Sequence, residues 1–268
     1  MPDVLVLSNA PLIEVIAEVH WKLPHGDPAQ GYDPQWFSFA NKMVAWARSI
    51  GYSHIEQLVP AGVTVPLDML GHAPILRFRP EASRWPLVQL GQGLLTVNAV
   101  PPYDGWPVTL APLLKRAVTA AVEARPELGK DVPVEKLELH YMDAFLTKHG
   151  VDDPNAYLGK ETGLSPKCPD SWSALSRAGS EPKFSGEFRF ELAIPTGASA
   201  VAKYGSGLVN SSEAKERSPA AVFDFVVVGQ PNKPMTPDEV LHWFGEAHPV
   251  SRALFMGALS ENSRKAVS

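Results

Sequence analysis

The stretch Leu12-Ile-Glu-Val-Ile-Ala-Glu-Val-His-Trp-Lys22 decides the fold class. Apolar and polar residues alternate with a period of two, the pattern of a strand with two unlike faces. Ile13, Val15, Ala17, Val19 and Trp21 lie on one face, and Glu14, Ile16, Glu18, His20 and Lys22 on the other. After a Pro- and Gly-rich turn, Asp33-Pro34 supplies an N-cap and a first-turn proline for a helix. Trp36, Phe39, Met43, Ala47 and Ile50 form its apolar stripe, and Gly51 is its stop.

Farther along, 55–74 has no clear period, whereas 75–79 and 86–100 read as antiparallel strands joined by a turn at 80–84. Gly91-Gln-Gly93 marks a bend, tight turn or bulge within the second. A helix is predicted over 104–125, stopped by Pro126, and a strand over 134–146. In that strand Leu137, Leu139, Tyr141 and Phe145 share one face, and Lys136, Glu138 and His140 the other. The pattern dissolves over 147–186 and resumes as strands at 187–194, 200–209 and 220–228. Thr236-Pro-Asp-Glu239 is a capping box opening the last helix, which Pro249 should kink or split. Strands followed by a helix occur twice, although no residue-level repeat stands out. The expectation is therefore an α+β fold: a mainly antiparallel sheet with helices packed on one face, in loosely similar N-terminal (1–146) and C-terminal (187–268) lobes joined by a loop-rich connector (147–186).

Composition narrows the function classes. The 268 residues carry 24 Lys+Arg against 29 Asp+Glu, a net charge of −5, which disfavours sequence-independent nucleic-acid binding. Twenty-six prolines, about twice the usual share, favour short elements joined by rigid turns. The single Cys168 excludes a disulfide framework and reads as an incidental loop residue. No apolar run approaches the roughly 20 residues that span a bilayer, and the opening Met-Pro-Asp lacks the basic region of a signal peptide, so a cytoplasmic location is expected.

Chemical motifs fail on spacing. Gly159-Lys160 lacks both the upstream glycine and the following Ser or Thr of a phosphate loop, and Gly91-Gln-Gly93 lacks a third glycine at Thr96. No Gly-x-Ser-x-Gly elbow occurs. His242 and His248 are six apart, not the four that place two metal ligands on one helix face. Neither a catalytic set, a metal site nor a cofactor is expected.

The informative pattern is a charged face on four separate strands: Glu14, Glu18 and His20; Arg77 and Arg79; Glu138 and His140; Arg189 and Glu191. If these strands share a sheet, its second face is a lattice of acids and bases. The plain interpretation is a solvated face held by cross-strand ion pairs. The functional one is a platform that docks a partner, or an anionic ligand through Arg77, Arg79 and Arg189, with Glu138 and His140 beside it. Trp85 and Trp172, in turns, are candidate partner anchors, while Trp36, Trp46, Trp106 and Trp243 belong to packing.

Ala10-Pro-Leu-Ile-Glu-Val-Ile-Ala-Glu-Val-His20 also resembles the start of a sporadically distributed bacterial family of uncharacterised proteins of about this length, with an opening P-[IL]-x-E-[AV]-x-x-E-[VI]-[RH] strand. Val88-Gln-Leu, Leu95-Thr-Val-Asn98 with Tyr103 and Trp106, Leu137-Glu-Leu-His-Tyr141, and the helix from His248 to Phe255 are similar to it as well. The chain departs from it at Pro249 and in 147–186. The resemblance brings no activity, cofactor or catalytic residue, and the family's patchy occurrence implies accessory genes such as toxin-neutralising or phage-defence modules. Glu14, Glu18, Asn98 and Tyr103, which match, read as buried polar ties. Together these point to a non-enzymatic cytoplasmic binding protein acting on another protein. The alternative is an enzyme or sensor for a small anion held by the arginines of the sheet face.

Overall fold

A computed structural model describes residues 9–23, 35–59, 70–161, 185–210 and 217–267. The turn at 24–31, the cap at Asp33-Pro34, Cys168 and Trp172 lie outside the described residues. Nine strands form one antiparallel sheet: β1 (Leu12–Trp21), β2 (His54–Gln57), β3 (Pro74–Arg79), β4 (Leu87–Gly91), β5 (Leu94–Ala99), β6 (Val134–Phe145), β7 (Ser185–Glu191), β8 (Ala198–Asn210) and β9 (Arg217–Gly229). Their order is β2-β3-β4-β5-β1-β6-β9-β8-β7. Five helices accompany them among the described residues: α1 (Trp36–Ser49), α2 (Ala111–Ala124), α3 (Pro154–Glu161), α4 (Pro237–Ala258) and α5 (Glu261–Val267). The expected α+β class holds.

The opening strand sits near the centre of the sheet. Its apolar face, Val15, Ala17 and Val19, lies opposite Ala99, Val97 and Leu95 of β5, and all six are buried beneath the helices. The core continues through Phe39 and Met43 of α1, Leu114 and Ala117 of α2, and Phe244 of α4. A second cluster gathers Phe145, Phe223, Phe225, Leu158 and Phe255 where α3 and α4 cover β6 and β9.

Several expectations change. The segment 86–100 is two strands, because Gly93 at φ +64° closes a hairpin between β4 and β5. The helix from Asp104 begins as a π-helical turn, Trp106–Leu110, before α2. β2 and α5 add elements to stretches without a strong period. The strand at 134–145 pairs with both β1 and β9 inside the one sheet. Most consequentially, α4 runs unbroken from Pro237 to Ala258 despite Pro249. Its capping box forms as read: the Glu239 N–H donates to Thr236 Oγ1 at 3.3 Å, and the Thr236 N–H donates to Glu239 Oε2 at 2.8 Å. Proline removes one hydrogen bond from the ladder. Packing of Val240, Phe244, Ala247 and Phe255 into the core holds the helix through that gap.

The chain traces one path twice. β1 is followed by α1, a meander β2 to β5 that returns to β1, and then α2; β6 is followed by α3, a meander β7 to β9 that returns to β6, and then α4. A local two-fold axis passes between β1 and β6, where Glu18 lies directly opposite Glu138. It superposes Glu18-Val-His-Trp21 on Glu138-Leu-His-Tyr141. This residue-level repeat is too short to register in the sequence without the strand register.

Candidate functional site: a paired Glu-x-His cluster on the polar sheet face

Strand register brings the charged residues of all four predicted strands onto the face opposite the helices. Glu56 opposes Arg77, Arg77 opposes Gln89, Gln89 opposes Thr96, Glu18 opposes Thr96 and Glu138, Lys203 opposes Asp224, and Glu187 opposes Lys203. Two networks result.

The first runs from β2 to β1 and is a polarised relay. Arg77 and Arg79 share Glu56, each at 3.0 Å. Burial raises the Glu56 carboxyl, yet the two guanidinium groups hold it below its ordinary range. Arg77 also donates to the Gln89 oxygen at 3.0 Å, and the Gln89 amide nitrogen donates to Thr96 Oγ1 at 3.3 Å. Thr96 Oγ1 donates to Asn98 Oδ1 at 2.7 Å, and Asn98 Nδ2 donates to Glu14 Oε1 at 2.8 Å. From Arg77 to Glu14 every bond points the same way, from a cation to an anion, so each polarises the next. Thr96 and Asn98 are buried. Burial with hydrogen bonding makes them structural, the role expected of Asn98 from its match to the family pattern. Trp85 packs against Arg79, whose Cζ lies 4.8 Å from the ring centroid, and is half-buried. It is thereby part of this network and not a free anchor.

The second network is the Glu-x-His pair at the local axis. His20 Nε2 lies 2.8 Å from Glu18 Oε2 and 3.8 Å from Glu138 Oε2; His140 Nε2 lies 3.8 Å from the same Glu138 oxygen. Lys136 Nζ reaches Glu138 at 2.9 Å, His140 Nδ1 lies 3.5 Å from Asp224 Oδ1, and Lys203 Nζ lies 3.6 Å from Asp224 Oδ2. Burial works most strongly against a charge on His140, but Asp224 and Glu138 together outweigh it and lift its pKa to about 9. Burial likewise disfavours charge on Glu138, and His140 and Lys136 outweigh it, bringing its pKa down to about 2. At neutral pH Glu138 is therefore a carboxylate and His140 an imidazolium.

Glu18, His20 and Glu138 offer three donor atoms within 4.8 Å of one another, the one set among the described residues that could hold a metal ion. Lys136 and His140 already supply the positive charge that such an ion would bring. Sequence reading missed this trio because Glu138 meets Glu18 only through strand register. The clue was the Glu-x-His spacing on both strands.

The five residues singled out from sequence separate into three places. Glu138 and His140 meet at the centre. Arg77 and Arg79 sit together on β3, and Arg189 on β7 pairs with Glu187 at 3.4 Å. Seven strand spacings of about 4.8 Å, roughly 34 Å along the sheet, separate β3 from β7. The three arginines do not converge on one small anion.

Concavities match this layout. An enclosed cavity of about 10 Å³ beside Trp21, Gly93 and Arg125 is too small for a metabolite. A broad open depression of about 580 Å³ lies on β7, β8 and β9, lined by Ser185, Glu187, Lys203, Gly205, Val222 and Asp224. Asp224 Oδ1 is buried there without a hydrogen-bond partner among the described residues. Its approach to His140 is electrostatic and too long for a good hydrogen bond.

A buried polar chain lies on the opposite, helix-covered face. Tyr141 Oη is 3.3 Å from Tyr103 Oη and 3.0 Å from His248 Nδ1, and the His248 ring stacks on Trp106 with centroids 5.2 Å apart. Burial pushes Tyr103 up to about 12; burial and then the Arg252 charge push His248 down to about 4. The neutral imidazole ties α4 to β6 and to the turn before α2. Beside it on β6, burial and then the Asp224 charge raise the Asp143 carboxyl to about 7.

No family model, curated protein or solved structure matches the chain. No helix among the described residues is long and apolar enough to cross a membrane.

Proposed function

We propose that this chain is a non-enzymatic accessory protein of the cytoplasm that binds another protein through the polar face of its sheet, as a toxin-neutralising or phage-defence module would. One observation carries the reading: the open depression on β7 to β9, with the buried acceptor Asp224 Oδ1 in its lining and Lys203 and Glu187 beside it. Small-molecule sites are enclosed, whereas a wide, open surface with charged side chains beside it suits a folded partner with its own paired charges. The internally balanced cations of the face argue against nucleic acid, which needs an uncompensated basic track.

The alternative, a small anion clamped by arginines, is disfavoured by the roughly 34 Å between β3 and β7 and by the glutamate partner on each guanidinium.

Capture from the native host with the tagged full chain tests the reading, using Lys203→Glu/Asp224→Lys on the polar face and Lys42→Glu on α1 as the control. A captured protein lost with the polar-face variant, retained by the control and released by moderate salt supports it. Capture indifferent to the polar face, or purified protein that turns over a defined substrate, overturns it.

A further inference from the structure

We propose that two copies of the chain pair edge to edge through β7, antiparallel about Phe188, and so join their sheets into one of eighteen strands. β7 ends the sheet, and among the described residues no strand pairs with its outer edge. An unpaired edge is a row of free N–H and C=O groups that invites another strand. Its two faces are unlike: Phe188 and Phe190, 52% and 42% exposed, point to the helix side, and Glu187, Arg189 and Glu191 to the polar side.

The sequence of β7 is complementary to itself in one register. The strand runs from Ser185 to Glu191, so its midpoint is Phe188. Antiparallel pairing about that residue opposes Glu187 to the second copy's Arg189, and Arg189 to its Glu187. It lays Phe188 beside its own twin, sets Phe190 over the second copy's Gly186, and uses the strand's whole length. Each element is prepared within one copy. Glu187 and Arg189 stand side by side at 3.4 Å with 44% and 64% of their side chains exposed, ready to exchange partners. Tyr204 lies across Gly186, where a Cβ would come within 2.6 Å of its ring, and stacks on Phe188 at 5.6 Å between centroids. The incoming Phe190 would extend that aromatic strip. Centring the pair on Glu187 or on Arg189 would oppose like charges, which is destabilising. A half-residue centre would set Glu187 against Phe188 and turn one sheet over.

This inference does not depend on the partner reading: Glu187 also lines the open depression, but self-association of the purified chain is read with no other protein present. Sedimentation equilibrium of the full chain across the micromolar range tests it. The wild type should dimerise, and Glu187→Arg and Arg189→Glu should each weaken the dimer at least tenfold by opposing like charges. The double exchange Glu187→Arg/Arg189→Glu should restore it. A mixture of the two single variants, one with arginine at both 187 and 189 and the other with glutamate at both, should form a heterodimer, which also shows that both are folded. A wild type monomeric throughout, a dimer untouched by the single exchanges, or neither the double exchange nor the mixture recovering it would overturn the proposal.

Discussion

Asp143 is a buried acid with no basic partner among the described residues, and removing its charge should stabilise the protein in a pH-dependent way. It lies on β6 opposite Phe223 of β9, 4% exposed, and no basic side chain pairs with it among the described residues. Burial, then Asp224, raise its pKa from 3.8 to about 7. A raised carboxyl binds its proton in the folded chain while the unfolded chain has already released it. Stability is therefore lost as pH rises through that window, by about 1.4 kcal/mol per unit and on the order of 4 kcal/mol above pH 7. His149 and His248, both lowered from 6.5 to about 4, act in the opposite sense. They stay neutral when folded and protonate first when unfolded, so stability falls as pH drops through their window. The wild-type profile thus mixes both slopes, and the difference between Asp143→Asn and wild type isolates one. Urea melts of both proteins at pH 5 and pH 8 should show an advantage for Asn that grows by about 3 kcal/mol between the two. A difference that stays constant, or a variant less stable at pH 8, would refute the assignment of Asp143 as a buried, uncompensated acid.

Three further outcomes follow from the geometry. His140 should stay protonated at neutral pH and titrate near 9 by NMR, its stabilisation complete below the unfolded value of 6.5 and lost as pH rises through 9; titration below 7 contradicts the Glu138–His140–Asp224 bridge. Asn98→Ala strands the Thr96 hydroxyl and removes the donor to Glu14, so it should cost about 1–3 kcal/mol in urea unfolding, against near-neutrality if the relay were ornamental. Gly229→Ala sets a Cβ 2.6 Å from the Trp243 indole nitrogen and should cost about 1–3 kcal/mol with a changed tryptophan emission; an unchanged midpoint would mean the close approach is absent.

The alternation of Leu12–Lys22 disclosed both faces of the central strand, and the same rule placed Arg77, Glu138 and Arg189 on the polar side. Alternation reports which face a residue takes, not which neighbour it meets. The union of Glu18 with Glu138, and the seven strand spacings, roughly 34 Å along the sheet, that separate β3 from β7, arise from strand order, which is a property of the whole chain. β2 escaped notice because His54-Ile-Glu-Gln57 is four residues with one apolar side chain, held by pairing with β3. Pro249 does not split its helix for the converse reason: its local penalty is real, but a 22-residue helix anchored by a capping box and an apolar face outweighs it.

The central claim is that the polar sheet face is where this protein meets its partner. Cross-linking of the captured complex through lysine measures that directly, since Lys136 and Lys203 stand on the polar face and Lys42 and Lys115 on α1 and α2. A partner on the polar face should give cross-links at Lys203 and Lys136, abolished with binding by Lys203→Glu/Asp224→Lys. Cross-links confined to Lys42 and Lys115 would place the partner on the helices and contradict it.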